Sequence, residues 1–149
     1  MLSAGTITTL PNTPGGTINN NTYTLNVSRN TTTNAFRGYN LLTNPYPSYL
    51  DWDNVTRSNV GTTLWYRSVN NAGTMVFDTY NSNGNVGTSN NGAGTVSQFI
   101  PPMQAFWVKV EGNTSGSIVL ENIDRSHHVS GMQGMHSLLD KQMFANINL

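Results

Sequence analysis

The chain has 149 residues, a formal net charge of zero, 9% charged side chains and no cysteine. That length fits one domain with a sizeable core. The charge balance excludes the electrostatic footprint of a nucleic-acid or anionic-membrane binder, and the absence of cysteine excludes disulfides and thiolate metal or redox sites.

Asn, Thr, Ser and Gly carry the polarity instead of charge. These residues compete for the backbone or lose rotamer freedom in helices, and they suit strands joined by many turns. The opening MLSAGTITTLPN lacks the basic and apolar regions of a signal peptide. No apolar run reaches the length of a membrane span.

In chain order, Thr6 to Leu10 is a short strand candidate, and Pro11 to Gly16 has strong turn chemistry. Tyr23, Leu25 and Val27 alternate with Thr24, Asn26 and Ser28, the period of a half-buried strand. Asn30 to Asn34 is a polar connection, and Phe36 to Leu42 is the next strand.

That strand runs into the stretch richest in apolar, aromatic and proline residues, Gly38 to Asp53. In Asn44-Pro45-Tyr46-Pro47-Ser48 each proline fixes φ and removes a donor. Each residue before a proline is driven extended. The expected result is a rigid turn that carries Tyr46, Tyr49 and Trp52 past the end of a sheet.

Thr62 to Val69 and Thr74 to Tyr80 read as a hairpin around Asn70-Asn71-Ala72-Gly73. Leu64 and Tyr66 share one face of the first strand, and Trp65 and Arg67 share the other. Asn81 to Gly94 reads as a long loop, of a length that is usually functional or mobile. Ala105 to Val110 alternates, with Phe106, Val108 and Val110 on one face, which puts Phe106 and Val108 in the core and turns Trp107 outward or toward a second layer. Ser117 to Ile123 is expected to be its hairpin partner. About seven short strands separated by turn signals predict an all-β antiparallel sandwich, jelly-roll-like, with long Asn/Gly-rich loops. The module is expected to cover 1–128, with 129–149 an atypical tail or the start of a following segment. In that tail His136 to Phe144 suits a helical turn or two, and Phe144 to Leu149 reads as a strand cut short at a boundary inside a larger protein.

Several of these segments resemble a β-rich module of secreted and surface proteins of Bacteroidetes. That module stands upstream of the C-terminal sorting domain used by the type IX secretion system. The resemblance rests on Gly38-Tyr39-Asn40-Leu41-Leu42-Thr43-Asn44-Pro45-Tyr46-Pro47-Ser48 followed by Asp51-Trp52. It continues through Leu64-Trp65-Tyr66, the Asn/Gly-rich loop, Pro102 to Lys109, and Asn122-Ile123-Asp124-Arg125-Ser126-His127. Thr43 stands where the pattern has Gly, and the tail after His127 departs from it. The resemblance implies a secreted or cell-surface origin and supplies no activity.

Three constellations carry candidate chemistry. Asp51, Asp53 and Asn54 place oxygen ligands after the rigid turn, as a calcium loop would. Val55 and Arg57 break the EF-hand pattern, and Asp51 equally suits a turn closed through backbone amides. Trp52, Trp65, Tyr66, Tyr80 and Trp107 are candidates for a sugar-stacking platform, against the alternative of core packing. Asp124, Ser126, His127 and His128 include triad residue types, but no nucleophile elbow surrounds them. The expectation is therefore a non-catalytic binding or adhesion module with no cofactor, calcium aside. Its expected partners are a polysaccharide or surface glycan and the neighbouring domains of a larger protein, with no nucleic acid and no membrane insertion. The alternative is a structural spacer that presents neighbouring domains or the sorting signal.

Overall fold

A computed structural model describes residues 18–30, 36–92, 94–112 and 115–127. The expected strand at Thr6 to Leu10, the connection after Asn30, His128 and the whole tail 129–149 lie outside the described residues.

The described residues form an all-β antiparallel sandwich. In chain order the strands are β1 (Tyr23–Ser28), β2 (Tyr39–Thr43), β3 (Tyr49–Asp51), β4 (Thr56–Ser58), β5 (Thr63–Val69) and β6 (Met75–Asn81). They continue with β7 (Val86–Thr88), β8 (Phe99–Ile100), β9 (Ala105–Lys109), β10 (Ser115–Leu120) and β11 (Arg125–Ser126), with one 3-10 turn at Asn122–Asp124. A five-stranded sheet runs β2-β9-β5-β6-β7, and two three-stranded sheets run β1-β10-β4 and β11-β3-β8.

Alternation explains the core. Phe106 and Val108 of β9 are fully buried, and so is Val110 just beyond it. They join Leu64 and Tyr80 of the same sheet, Val27, Ile118 and Leu120 of the β1-β10-β4 sheet, and Leu50 and Ile100 of the third sheet. The edges of the two layers are stitched by Asn40. Its carboxamide donates to the carbonyls of Ser28 and Gly38, both at 2.9 Å, and its Oδ1 accepts the Ser28 amide at 3.2 Å. Arg29 adds a bond from Nη1 to the Val110 carbonyl at 3.1 Å. Gly38 sits at φ 86°, and a Cβ there would stand 2.8 Å from the Val110 carbonyl oxygen. Only glycine fits that approach without strain.

The hairpin around Asn70 forms as expected, pairing Thr63 with Asn81 through Val69 with Met75. The Asn70 Oδ1 accepts the amides of Ala72 and Thr74. Other expectations are corrected. Ser117 to Ile123 does not pair with Ala105 to Val110. β9 lies between β2 and β5, and β10 lies between β1 and β4, so the turn at Glu111 crosses from one layer to the other. Both strands need a buried inner face, and facing each other across the core supplies one to each. The stretch after Leu120 is a 3-10 turn rather than strand, closed by the Glu121 amide donating to Asp124 Oδ2 at 2.8 Å. Phe36 stands exposed in the turn before β2 instead of opening the strand. Asn81 to Gly94 is not one loop, because β7 returns through Val86–Thr88 to pair with β6.

Candidate functional site

Asn44 and Tyr46 of the Asn44–Ser48 turn are buried in the core, while Pro47 is exposed. Asn44 is fully buried, and its side-chain nitrogen donates to the carbonyls of Ser48, Ile100 and Pro101 at 2.9, 3.1 and 3.0 Å. Its Oδ1 accepts the Tyr46 amide at 3.0 Å. The Tyr46 hydroxyl, also buried, is shared between the carbonyls of Asn21 and Leu120 at 2.8 and 2.9 Å. Burial, with the nearby Asp124 carboxylate, pushes that phenol up to about 12. Arg125 lies 5.5 Å from the Tyr46 ring centre and donates from Nε to Ser48 Oγ at 2.7 Å and from Nη1 to Asn122 Oδ1 at 2.6 Å. β11 pairs Arg125 with Leu50. The two ends of the sequence pattern therefore meet and hold each other.

Trp52 is likewise 0% exposed. Its indole Nε1 donates to the Thr62 carbonyl at 2.9 Å, and its ring meets Phe106 edge-on at 5.8 Å. The Arg57 guanidinium lies 4.5 Å from the indole centre and donates to the Trp52 carbonyl and to Ser82 Oγ. Trp52 cannot contact a ligand from there. Tyr80 is also buried, with its hydroxyl donating to the Asp53 carboxylate at 2.9 Å. Tyr66 faces inward and packs against the core, and its hydroxyl is buried with no hydrogen-bond partner among the described residues. These three leave the candidate platform because the inner face of a sandwich takes the large aromatics first.

The carboxylates after β3 close a turn. Asp51 accepts the Asp53 amide at 3.1 Å and the Asn54 carboxamide at 3.3 Å, and its carbonyl accepts the Asn54 amide at 3.2 Å. Asp53 is engaged by Tyr80. Partial burial raises the Asp51 carboxyl, with the Asp53 amide opposing the shift. Among the described residues no group of three or more His, Cys, Asp or Glu side chains could hold a metal ion. Asp51, Asp53 and Asn54 take part in the turn through these bonds. Asp78 plays a similar part in β6. It is buried, takes the Ser68 hydroxyl at 2.7 Å, and takes the Asn90 and Asn91 amides at 2.6 and 3.1 Å. The sequence reading missed it, although a lone Asp in a strand facing an Asn/Gly segment is its signal.

What remains is the outer face of the five-stranded sheet. Trp65 of β5 pairs directly with Trp107 of β9. The same register places Leu41 beside Trp107 and Thr79 beside Trp65, with Thr88 beyond. Both tryptophans are half-buried, as the alternation with Leu64, Phe106 and Val108 requires. Tyr39, which the sequence reading did not single out, reaches across β9 to meet the Trp65 ring edge-on at 5.2 Å. Its signal was its place two residues before Leu41 on the same face. Leu41, Val69, Met75, Phe77 and Val86 are exposed around these rings, among Thr43, Thr63, Thr79, Asn81 and Thr88 on the same face. The arrangement is an aromatic and hydroxyl-rich surface. It offers stacking and hydrogen bonding and no acid–base pair.

No family model matches the chain, and neither the curated proteins nor the solved structures include one similar to it.

Proposed function

We propose that the chain is a non-catalytic binding or adhesion module of a larger secreted or cell-surface protein, with carbohydrate as its ligand. The observation that carries this reading is the Trp65–Trp107 pair, flanked by Tyr39, on the outer face of the five-stranded sheet. Pyranose rings pack their C–H faces on such surfaces, while neighbouring Thr and Asn side chains serve the hydroxyls. The secreted or surface location, and the place ahead of a type IX sorting domain, rest on the sequence resemblance alone.

A glycan array tests this reading, with the Trp65→Ala/Trp107→Ala double variant as control. Retention of the native chain on at least one glycan, weakened about tenfold or more in the variant, supports it. The second reading, a structural spacer, is favoured by the fully internal use of Asn40, Asn44, Tyr46, Ser48 and Arg125. Absence of retention on every glycan would leave the spacer standing and remove the binding module.

A further inference from the structure

The outward positions of the five-stranded sheet carry two cations and no carboxylate. In the register that pairs Trp65 with Trp107, Arg67 lies toward one end of the aromatic pair, opposite Phe77. Lys109 lies toward the other end, opposite Tyr39, with its ammonium 5.3 Å from the Tyr39 ring centre. Asp78, the one carboxylate within these five strands, points inward to Ser68. Beyond the end of β9, Glu111 lies against Gly61, and Arg37 precedes β2 where the Val110 amide meets the Gly38 carbonyl. The Gly61 amide donates to the Lys109 carbonyl, so the Glu111 carboxylate stands at the Lys109 end, while Arg67 at the other end has no carboxylate among the outward strand positions. In a chain of zero net charge, this is a segregation of sign onto the face with the stacking rings.

We infer that this face takes an acidic glycan, one bearing uronate or sulfate groups, with the sugar rings on Trp65 and Trp107 and the anionic groups at Arg67 and Lys109. The inference rests on the carbohydrate reading above and names the ligand class for that same face. A uronate carboxylate or sulfate can accept two parallel N–H bonds from the Arg67 guanidinium, and Lys109 serves as a point charge. A neutral glycan would leave both cations to water. A polypeptide adding a strand is disfavoured at the aromatic pair itself, because β9, β5 and β6 are each paired on both sides.

The test uses matched pairs that differ only in charge, by affinity gel electrophoresis of the full chain. The pairs are polygalacturonate against its methyl ester, and chondroitin sulfate and heparin against their desulfated forms. The expected result is retention on at least one acidic polymer, about fivefold weaker on its neutral partner and falling with added NaCl. Arg67→Gln/Lys109→Gln should erase the preference for the acidic member with the fold intact, and Trp65→Ala/Trp107→Ala should abolish retention on both. Equal or stronger retention on the neutral members overturns the acidic assignment and leaves the carbohydrate reading in place. Retention on none of these polymers, with none on a broad neutral array, overturns both.

Discussion

Replacing Asn44 by Ala should be among the most damaging single changes in the chain. The side chain is fully buried and satisfies four backbone groups at once. Two of them, the Tyr46 amide and the Ile100 carbonyl, are bonded in fully buried surroundings. Each orphaned buried group costs about 1–3 kcal/mol. The Ser48 and Pro101 carbonyls, bonded in partly buried surroundings, regain water and are left uncounted. The expected loss is therefore about 2–6 kcal/mol, set against a total of about 5–15 kcal/mol for an ordinary domain. Asn44→Asp separates donor from acceptor loss, because a carboxylate can still accept the Tyr46 amide but cannot donate to three carbonyls. It should fall nearly as far as Ala. Equilibrium urea unfolding, followed through tryptophan fluorescence, reads both variants, with the m-value unchanged if the fold is retained. A loss below about 1 kcal/mol for Asn44→Ala would refute the claim that this carboxamide holds the turn.

Three further outcomes follow from particular atoms. Gly87→Ala would place a Cβ 1.7 Å from the Val96 carbonyl oxygen, so backbone must move at a cost of about 1–3 kcal/mol; an unchanged melting temperature would contradict that close approach. Tyr66→Phe removes a buried hydroxyl without a partner and should be neutral or stabilising by up to about 1 kcal/mol, so a clear loss of stability in urea would mean the hydroxyl is satisfied after all. Burial first of all raises the phenols of Tyr46, Tyr66 and Tyr80, with Tyr46 reaching about 12. Below the ordinary phenol value of about 10 both states keep these protons. Above it the unfolded chain ionises first, so stability should fall as pH rises from about 10 toward 12. A urea midpoint that holds steady from pH 9 to pH 11 would count against the three phenols being buried.

The fold class was legible because period-two alternation fixes which side chains face inward. Phe106 and Val108 were assigned that way, and Leu64 and Trp65 were placed on opposite faces of their strand. Alternation says nothing about which strand lies alongside, so the crossing from β9 to β10 between layers was read as a hairpin. The same limit applied at Trp52, which follows β3 in an Asp51-closed turn where no strand period sets the facing. Its burial comes from Phe106, Thr62 and Arg57, residues distant in sequence or brought in by folding back. Tyr80 was a different case. It shares its β6 face with Val76 and Asp78 against Met75 and Phe77 on the other, so parity alone did not give its facing. The Asn44–Ser48 segment was legible as a turn that ends β2, but its partner, the Asn122–Arg125 element, was visible only as a second motif. That Arg125 reaches Ser48 and covers Tyr46 is tertiary information.

The central claim is that ligand binds the outer face of the five-stranded sheet, and the three indoles report on it directly. Their Nε1–H resonances can be followed in a nitrogen–proton correlation spectrum during titration with an oligosaccharide taken from whichever glycan retains the chain. Trp65 and Trp107 stand half-exposed on that face, while the Trp52 indole is buried and bonded to the Thr62 carbonyl. The account predicts that the Trp65 and Trp107 signals shift with ligand and the Trp52 signal stays in place. Shifts confined to Trp52, or none at any indole while the chain is bound, would contradict it.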